Sequence, residues 1–211
     1  MAFDYKKEYK EFYLPKAVPT VVDVPSMNYI AISGCGNPNE VDGEYQRALG
    51  ILYPVAYTLK MSYKTDYRMD GFFEYVVPPL ESLWWIDKDG SNDFTDKSAF
   101  RWIAMIRLPD FVKSKDVEWA KDEVRRKKGI DCSSLDFFNL QEGLCVQIMH
   151  IGPYDAEPVS LAAIDRFIES NDYVKDITAS RRHHEIYLSD PRKCLPDKIK
   201  TVLRVPVIKK P

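Results

Sequence analysis

One order of elements occurs twice along this chain, and that recurrence restricts the fold more than any single motif. In the first half, Asn28-Tyr29-Ile30-Ala31-Ile32-Ser33 is a β-prone run that ends in a turn at Gly34, Gly36, Asn37 and Pro38. Tyr45, Leu49, Leu52, Tyr53 and Ala56 then recur at helical spacing. Two extended stretches follow, residues 72–77 and 83–86, split by Pro78-Pro79 and closed by a turn over 87–90. In the second half a mostly apolar strand over 143–150 turns at Gly152-Pro153. It leads into a helix over 158–170 whose Val159, Leu161, Ala162, Ile164, Phe167 and Ile168 outline a buried face. A strand over 183–188 stops at Ser189-Asp190-Pro191, and a final run over 202–208 contains Pro206, which suits a sheet edge.

This order predicts an α+β fold of two duplicated strand-helix-strand-strand modules, over about 27–110 and 140–208, within one domain spanning 1–211. Residues 1–26, with Pro15, Pro19 and Pro25, read as an N-terminal extension. A further β-prone run over 99–108 falls in the first module, and a charged helix over 114–128 closed by Gly129 lies between the two.

Charge excludes more than it identifies. The 30 basic and 32 acidic residues are interspersed and leave a formal charge of -2. The densest basic run, Arg125-Arg126-Lys127-Lys128, sits just before Gly129 and is a helix C-terminus rather than a phosphate grip, so direct nucleic-acid binding is not expected. No run approaches the roughly 18 apolar residues that cross a bilayer, and the first residues hold no apolar signal core. A cytoplasmic protein without membrane contact is the expectation. Cys35, Cys132, Cys145 and Cys194 lie far apart with no C-x-x-C pair and read as buried thiols. Gly34-Cys35-Gly36 lacks the further glycine of a dinucleotide loop, and no phosphate-loop signature occurs, so no cofactor is expected.

The residues that can carry chemistry concentrate on one strand. Residues two apart on a strand share a face, so His183, Glu185 and Tyr187 project to one side and His184, Ile186 and Leu188 to the other. A mid-strand glutamate beside a phenol suits the lining of a pocket; it equally suits the wet side of an antiparallel sheet. Adjacent His183 and His184 point apart and do not form a metal site. Trp84-Trp85 puts one indole on each face of a short strand. Trp102, Trp119, Tyr75 and Tyr154 enlarge an aromatic content of 13%. Such rings usually pack, and one left facing a cleft offers a surface for a planar or cationic ligand.

Three segments together, Gly143 through Tyr154 with its "HIGPY" string, the "HHEIYLSDPR" string from His183 to Arg192, and Pro79-Leu80-Glu81-Ser82-Leu83-Trp84-Trp85, resemble the stand-alone GyrI-like proteins. The resemblance implies antiparallel sheets related by a pseudo-two-fold axis about a ligand cleft for a planar aromatic or hydrophobic small molecule. Drug-sensing relatives fuse the domain to a helix-turn-helix, which is not read ahead of the first strand here, so direct transcriptional regulation is not expected. Some stand-alone relatives hydrolyse cyclopropane-bearing DNA alkylators of the yatakemycin type. The resemblance then implies that Glu185 activates a water, that Tyr187 donates to the developing phenolate, and that Trp84 or Trp85 holds the ligand, with Trp102, His183 and Tyr75 as further lining. Tyr154 either caps the cleft or packs on the following helix. Glu81 is either a second carboxylate or an exposed turn residue, and Glu74 is the repeat counterpart of Glu185. The rival readings are a non-catalytic module that sequesters hydrophobic or cationic aromatic drugs, and a DNA gyrase inhibitor. A charge of -2 lacks the strong negative balance that DNA mimicry favours. The natural ligand and the oligomeric state are left open.

Overall fold

The structure, a computed structural model, describes residues 2–86 and 96–210. The turn expected over 87–90 lies outside the described residues. The elements run α1 (Tyr5–Glu8), α2 (Lys10–Tyr13), β1 (Thr20–Val24), β2 (Met27–Cys35), α3 (Glu44–Lys60), β3 (Leu80–Ile86), β4 (Phe100–Arg107), α4 (Ser114–Lys128), β5 (Asp136–Leu140), β6 (Gly143–Ile151), α5 (Glu157–Ser170), β7 (Tyr173–Lys175), β8 (His183–Tyr187) and β9 (Lys200–Lys209). The strand-helix-strand-strand order therefore recurs as β2-α3-β3-β4 and as β6-α5-β8-β9, with β7 inserted. The class is mixed α and β, as the recurrent pattern predicts, and the paired strands run antiparallel, as the resemblance implies.

The chain divides into two compact units. One comprises Met1–Asp4, Met27–Pro78 and Trp84–Leu140; the other comprises Tyr5–Ser26, Pro79–Leu83 and Gln141–Pro211.

In the first unit the strands lie in the order β3-β4-β2-β5. The β2–β4 ladder runs antiparallel from Tyr29↔Arg107 to Cys35↔Arg101, and β5 flanks β2 from Met27↔Leu140 to Ala31↔Asp136. Tyr29, Ile30, Ala31 and Ile32 are all buried, so this strand is covered on both faces, as a continuous apolar run requires. Helix α3 packs on β2 and β4 and beside α4. It buries Tyr45, Ala48, Leu52, Val55, Ala56 and Leu59, which recur on one face at i, i+3, i+4 and i+7 spacing. Gly129 ends α4 in the left-handed conformation (φ 67°), and its N–H reaches the Arg125 carbonyl at 2.9 Å. The basic run at that end is paired to acidic neighbours on its own helix, Arg125 to Asp122 and both Arg126 and Lys127 to Glu123. The strand expected over 72–77 is not formed. That stretch holds one isolated parallel bridge, Phe3↔Tyr75, and packs through Phe72, Phe73 and Tyr75 around Phe111.

In the second unit the order is β1-β6-β9-β8-β3, with β7 pairing the end of β9. Residues 1–26 are not a mere extension. Strand β1 pairs β6 from Thr20↔Gln147 to Val24↔Gly143, and Phe12, Tyr13, Val22 and Val24 are buried. The alternation in Thr20-Val21-Val22-Asp23-Val24 is short, but the side it buries is apolar.

Strand β9 is central rather than an edge. It pairs β6 over Lys200–Pro206, β8 over Thr201–Arg204 and β7 over Val207–Lys209. Pro206 is tolerated because its carbonyl, accepting from Asp176 N–H at 2.9 Å, lies on the β8 and β7 side. Its missing N–H points the same way, into the gap between those two partners. Helix α5 lays Ile164 and Ile168 on Val146, Ile148, Leu203, Val205 and Val207 of β6 and β9. Each such aliphatic side chain contributes about 1.5–3 kcal/mol when fully buried.

Candidate functional site

Strand β8 places its two sets of side chains as the alternation requires. His184 and Ile186 are buried, whereas His183, Glu185 and Tyr187 are each only half-buried.

The inward face anchors the strand. His184 is 0% exposed, with Nδ1 2.9 Å from Glu142 Oε1 and Nε2 at ion-pair distance, 3.0 Å, from Glu81 Oε2. Glu142 also accepts from Arg204 Nη1 at 2.7 Å. Arg204 donates in addition to the Phe12 carbonyl and, through two nitrogens, to Gln147. Tyr13 donates to Glu81 at 3.2 Å. Burial opposes charge on His184, but Glu142 and Glu81 outweigh it and push its pKa up to about 9. Burial likewise opposes the Glu142 carboxylate, and His184 and Arg204 overcome that to hold it at about 2. Two carboxylates thus face two cations, and the network is neutral as a whole. Glu81 belongs here, near the start of β3 and buried. Of the two readings of Glu81, the exposed turn residue is excluded by its burial, and the second carboxylate of a ligand patch is corrected to a carboxylate engaged by Tyr13 and His184.

The outward face carries the candidate chemistry. Glu185 accepts from Tyr187 Oη at 2.8 Å and from His183 Nε2 at 3.2 Å. The Nε2 of His183 is placed to donate to a carboxylate, which only accepts. Its Nδ1 is buried with no hydrogen-bond partner among the described residues. The Tyr154 ring meets Tyr187 edge to face at 6.0 Å between centroids. Burial, then the charges of Glu157 and Glu185, push the Tyr154 phenol up to about 12.

The turn that delivers Tyr154 is locked by His150. Ser160 donates to its Nδ1 at 2.9 Å, and its Nε2 donates to the Pro153 carbonyl at 3.1 Å. Gly152 within this turn has φ 142°, which side-chain-bearing residues rarely adopt.

The sequence reading missed Glu157. It opens α5, where an acidic residue reads as an ordinary helix start. It is only 9% exposed, and its Oε1 has no hydrogen-bond partner among the described residues. Burial first, then the negative charges of Glu185 and Asp155, push its pKa up to about 9. The helix dipole at this end favours the carboxylate by only about 0.3–1 kcal/mol, less than the roughly 1.4 kcal/mol of a single pKa unit. The one sequence signal for it was its place three residues after Tyr154, on the helix that follows the Gly152-Pro153 turn.

The structure thus gathers Glu185, Tyr187, His183 and Tyr154 within the second unit, with Glu157 added. Trp84, Trp85, Trp102 and Tyr75 belong to the first unit. Trp102 is 0% exposed, edge-on to Tyr45 at 5.0 Å and pressed against Gly34, so its expected ligand-binding role is corrected to a core role. Tyr75 is also buried, packed on Phe111. Trp84 is buried between Tyr45 and Phe100, and Trp85, its neighbour on the opposite face, is partly exposed. Glu74 is exposed and outside any strand, so the order of elements pairs β8 with β3 instead of with Glu74. Of the cysteines, Cys132 and Cys145 are buried; Cys35 is exposed and Cys194 half-buried, against the expectation of four buried thiols.

A family model for the GyrI-like small molecule binding domain matches residues 18–208. An uncharacterized conserved protein from Listeria innocua is 45% identical over 98% of this chain and 100% of its own, with a TM-score of 0.92. A hydrolase from Listeria innocua is 44% identical over 98% of this chain and 100% of its own, with a TM-score of 0.88. The C-terminal domain of EcmrR shares the fold, at a TM-score of 0.56 and 13% identity over 90% of this chain and 97% of that domain. No curated protein matches the sequence. Among the described residues no helix is long and apolar enough to cross a membrane.

Proposed function

Because the chain belongs to the GyrI-like small-molecule-binding family, we propose that it is a hydrolase of strained, cyclopropane-bearing electrophiles of the yatakemycin type, with Glu185 as the base. The observation that carries this reading is the setting of Glu185, a carboxylate oriented by two donors, Tyr187 at 2.8 Å and His183 at 3.2 Å, beside a buried second carboxyl. The 44% identity to a hydrolase supports it.

In such a ligand the cyclopropane is conjugated to a dienone. Glu185 takes a proton from a water, the water oxygen bonds to the ring methylene, and the cleaved carbon–carbon pair flows to the carbonyl oxygen as a phenolate. Protonation of that oxygen completes the addition of one water. Tyr187 already donates to Glu185, so its role is to hold the base, and the oxyanion role that the resemblance implies for it falls to another group.

The test is mass spectrometry of yatakemycin incubated with sub-stoichiometric protein. Many equivalents of a product heavier by one water, lost in Glu185→Gln, are expected. Unaltered ligand held at one equivalent per site would sink the hydrolase reading in favour of sequestration, which the same patch of rings and carboxylates would serve.

A further inference from the structure

We propose that Glu157 is the general acid of this site, a neutral carboxylic acid that gives its proton to an accepting oxygen of the ligand and so selects an oxygen-bearing neutral molecule over a cation. This deepens the hydrolase reading and rests on it for the reaction, though not for the protonation state.

The two glutamates have opposite surroundings. Glu185 is met by two donors, the Tyr187 phenol and the His183 imidazole. Glu157 is nine-tenths buried, its Oε1 meets no donor, and no described cation forms an ion pair with it. A carboxyl taken from water without donor or counter-charge is neutral. The groups around it reinforce this. Asp155 from its own turn and Glu185 from β8 add negative charge, and Tyr154, within range of Asp190 and Cys194 beyond β8, is itself held un-ionised. His183 and Tyr187 turn their donors to Glu185. Paired carboxyls whose environments drive them apart are the arrangement that assigns one as acid and the other as base.

The chemistry then balances. The Glu185 carboxylate receives the proton of the attacking water, the Glu157 carboxylic acid gives its proton to the oxygen of the ring-opened phenolate, and the net change is one water added. Solvent exchange afterwards restores both groups. A cationic ligand would instead require Glu157 to ionise first.

The experiment is a side-chain carboxyl carbon NMR titration of the full chain, with Glu157 assigned through its own backbone so that no variant is needed. Titration near pH 9 is expected; a midpoint below about 5, the ordinary carboxylate range, would overturn the proposal. Alongside it, Glu157→Gln should keep affinity for yatakemycin and lose turnover by about a hundredfold or more, as a missing general acid does. The parent's kcat/KM should fall above pH 9 as Glu157 loses its proton, and the Glu157→Gln profile should lack that fall. Unchanged turnover in Glu157→Gln would refute the catalytic role. Absence of turnover in the parent protein would refute the hydrolase reading, and the NMR midpoint would still decide the protonation state.

Discussion

His184 and Glu185 are neighbours in the chain, yet they serve opposite faces of β8. His184 is clamped between Glu142 at 2.9 Å and Glu81 at 3.0 Å in a region closed to solvent, while Glu185 meets Tyr187 and His183 on the outward side. The ionic clamp on one residue thereby fixes the backbone that presents the other.

Breaking that clamp should be costly. Glu142→Gln leaves the Arg204 and His184 charges buried with one counter-charge fewer, and Arg204→Met strands Glu142 beside His184 alone. Removing one partner of a buried pair typically costs about 3–5 kcal/mol. Urea unfolding should show each single change destabilising by that order, and the double change should cost less than the two added. Simple additivity would mean the two residues do not act as a pair.

The pH dependence of stability follows from the same groups. Glu142, depressed to about 2, contributes stability present above pH 4.5 and lost as pH falls towards 2. His184, raised to about 9, contributes stability present below pH 6.5 and lost as pH rises through 9. Glu157, also raised to about 9, costs stability progressively from pH 4.5 upward. Thermal melts should therefore give a higher Tm at pH 5 than at pH 8, and Glu157→Gln should shrink that difference. A Tm that climbs from pH 5 to pH 8 would contradict both assignments.

Tyr187→Phe should slow turnover of a cyclopropane alkylator without abolishing it. It removes one of two donors to Glu185, and a hydrogen bond to a charged group is worth about 1.5–3 kcal/mol, or roughly tenfold to somewhat over a hundredfold. Steady-state kinetics beside Glu185→Gln checks the ranking; a loss equal to that of Glu185→Gln would give the phenol a direct part in the reaction.

Gly34→Ala should damage the first unit. A Cβ there would lie 2.4 Å from two atoms of the Trp102 ring and 2.6 Å from Glu44 Oε1. Overpacking of this kind costs about 1–3 kcal/mol. Near-ultraviolet dichroism and a urea midpoint should both report the loss, and a second change, Trp102→Phe, should recover part of it. A midpoint equal to the parent's would show that the indole has room to move.

Much of this architecture was legible in the chain. Period-3.6 spacing located α3 and α5, because one buried helix face must recur at that interval. Gly129 marked the end of α4, since its left-handed conformation favours a residue without a Cβ. The alternation in His183-His184-Glu185-Ile186-Tyr187 separated the two faces of β8 correctly.

Other features lay beyond local pattern. Pro206 argues for an edge, yet β9 is central because the gap between β8 and β7 falls where the proline has no N–H to give. Residues 1–26 look irregular, but their partners, β6 and Glu81, are far away in sequence. Trp102 and Tyr75 read as available rings and are core.

The sequence by itself determined which residues can share a face, because backbone geometry fixes that from neighbour to neighbour. Only the tertiary structure decided which of those faces is dry and which charges meet there. The state of His184 depends on Glu81 and Glu142, and that of Glu157 on Glu185, residues brought together by sheet pairing and helix packing and not by their spacing along the chain. Burial and counter-charge set a carboxyl's chemistry, and both are properties of the folded surroundings.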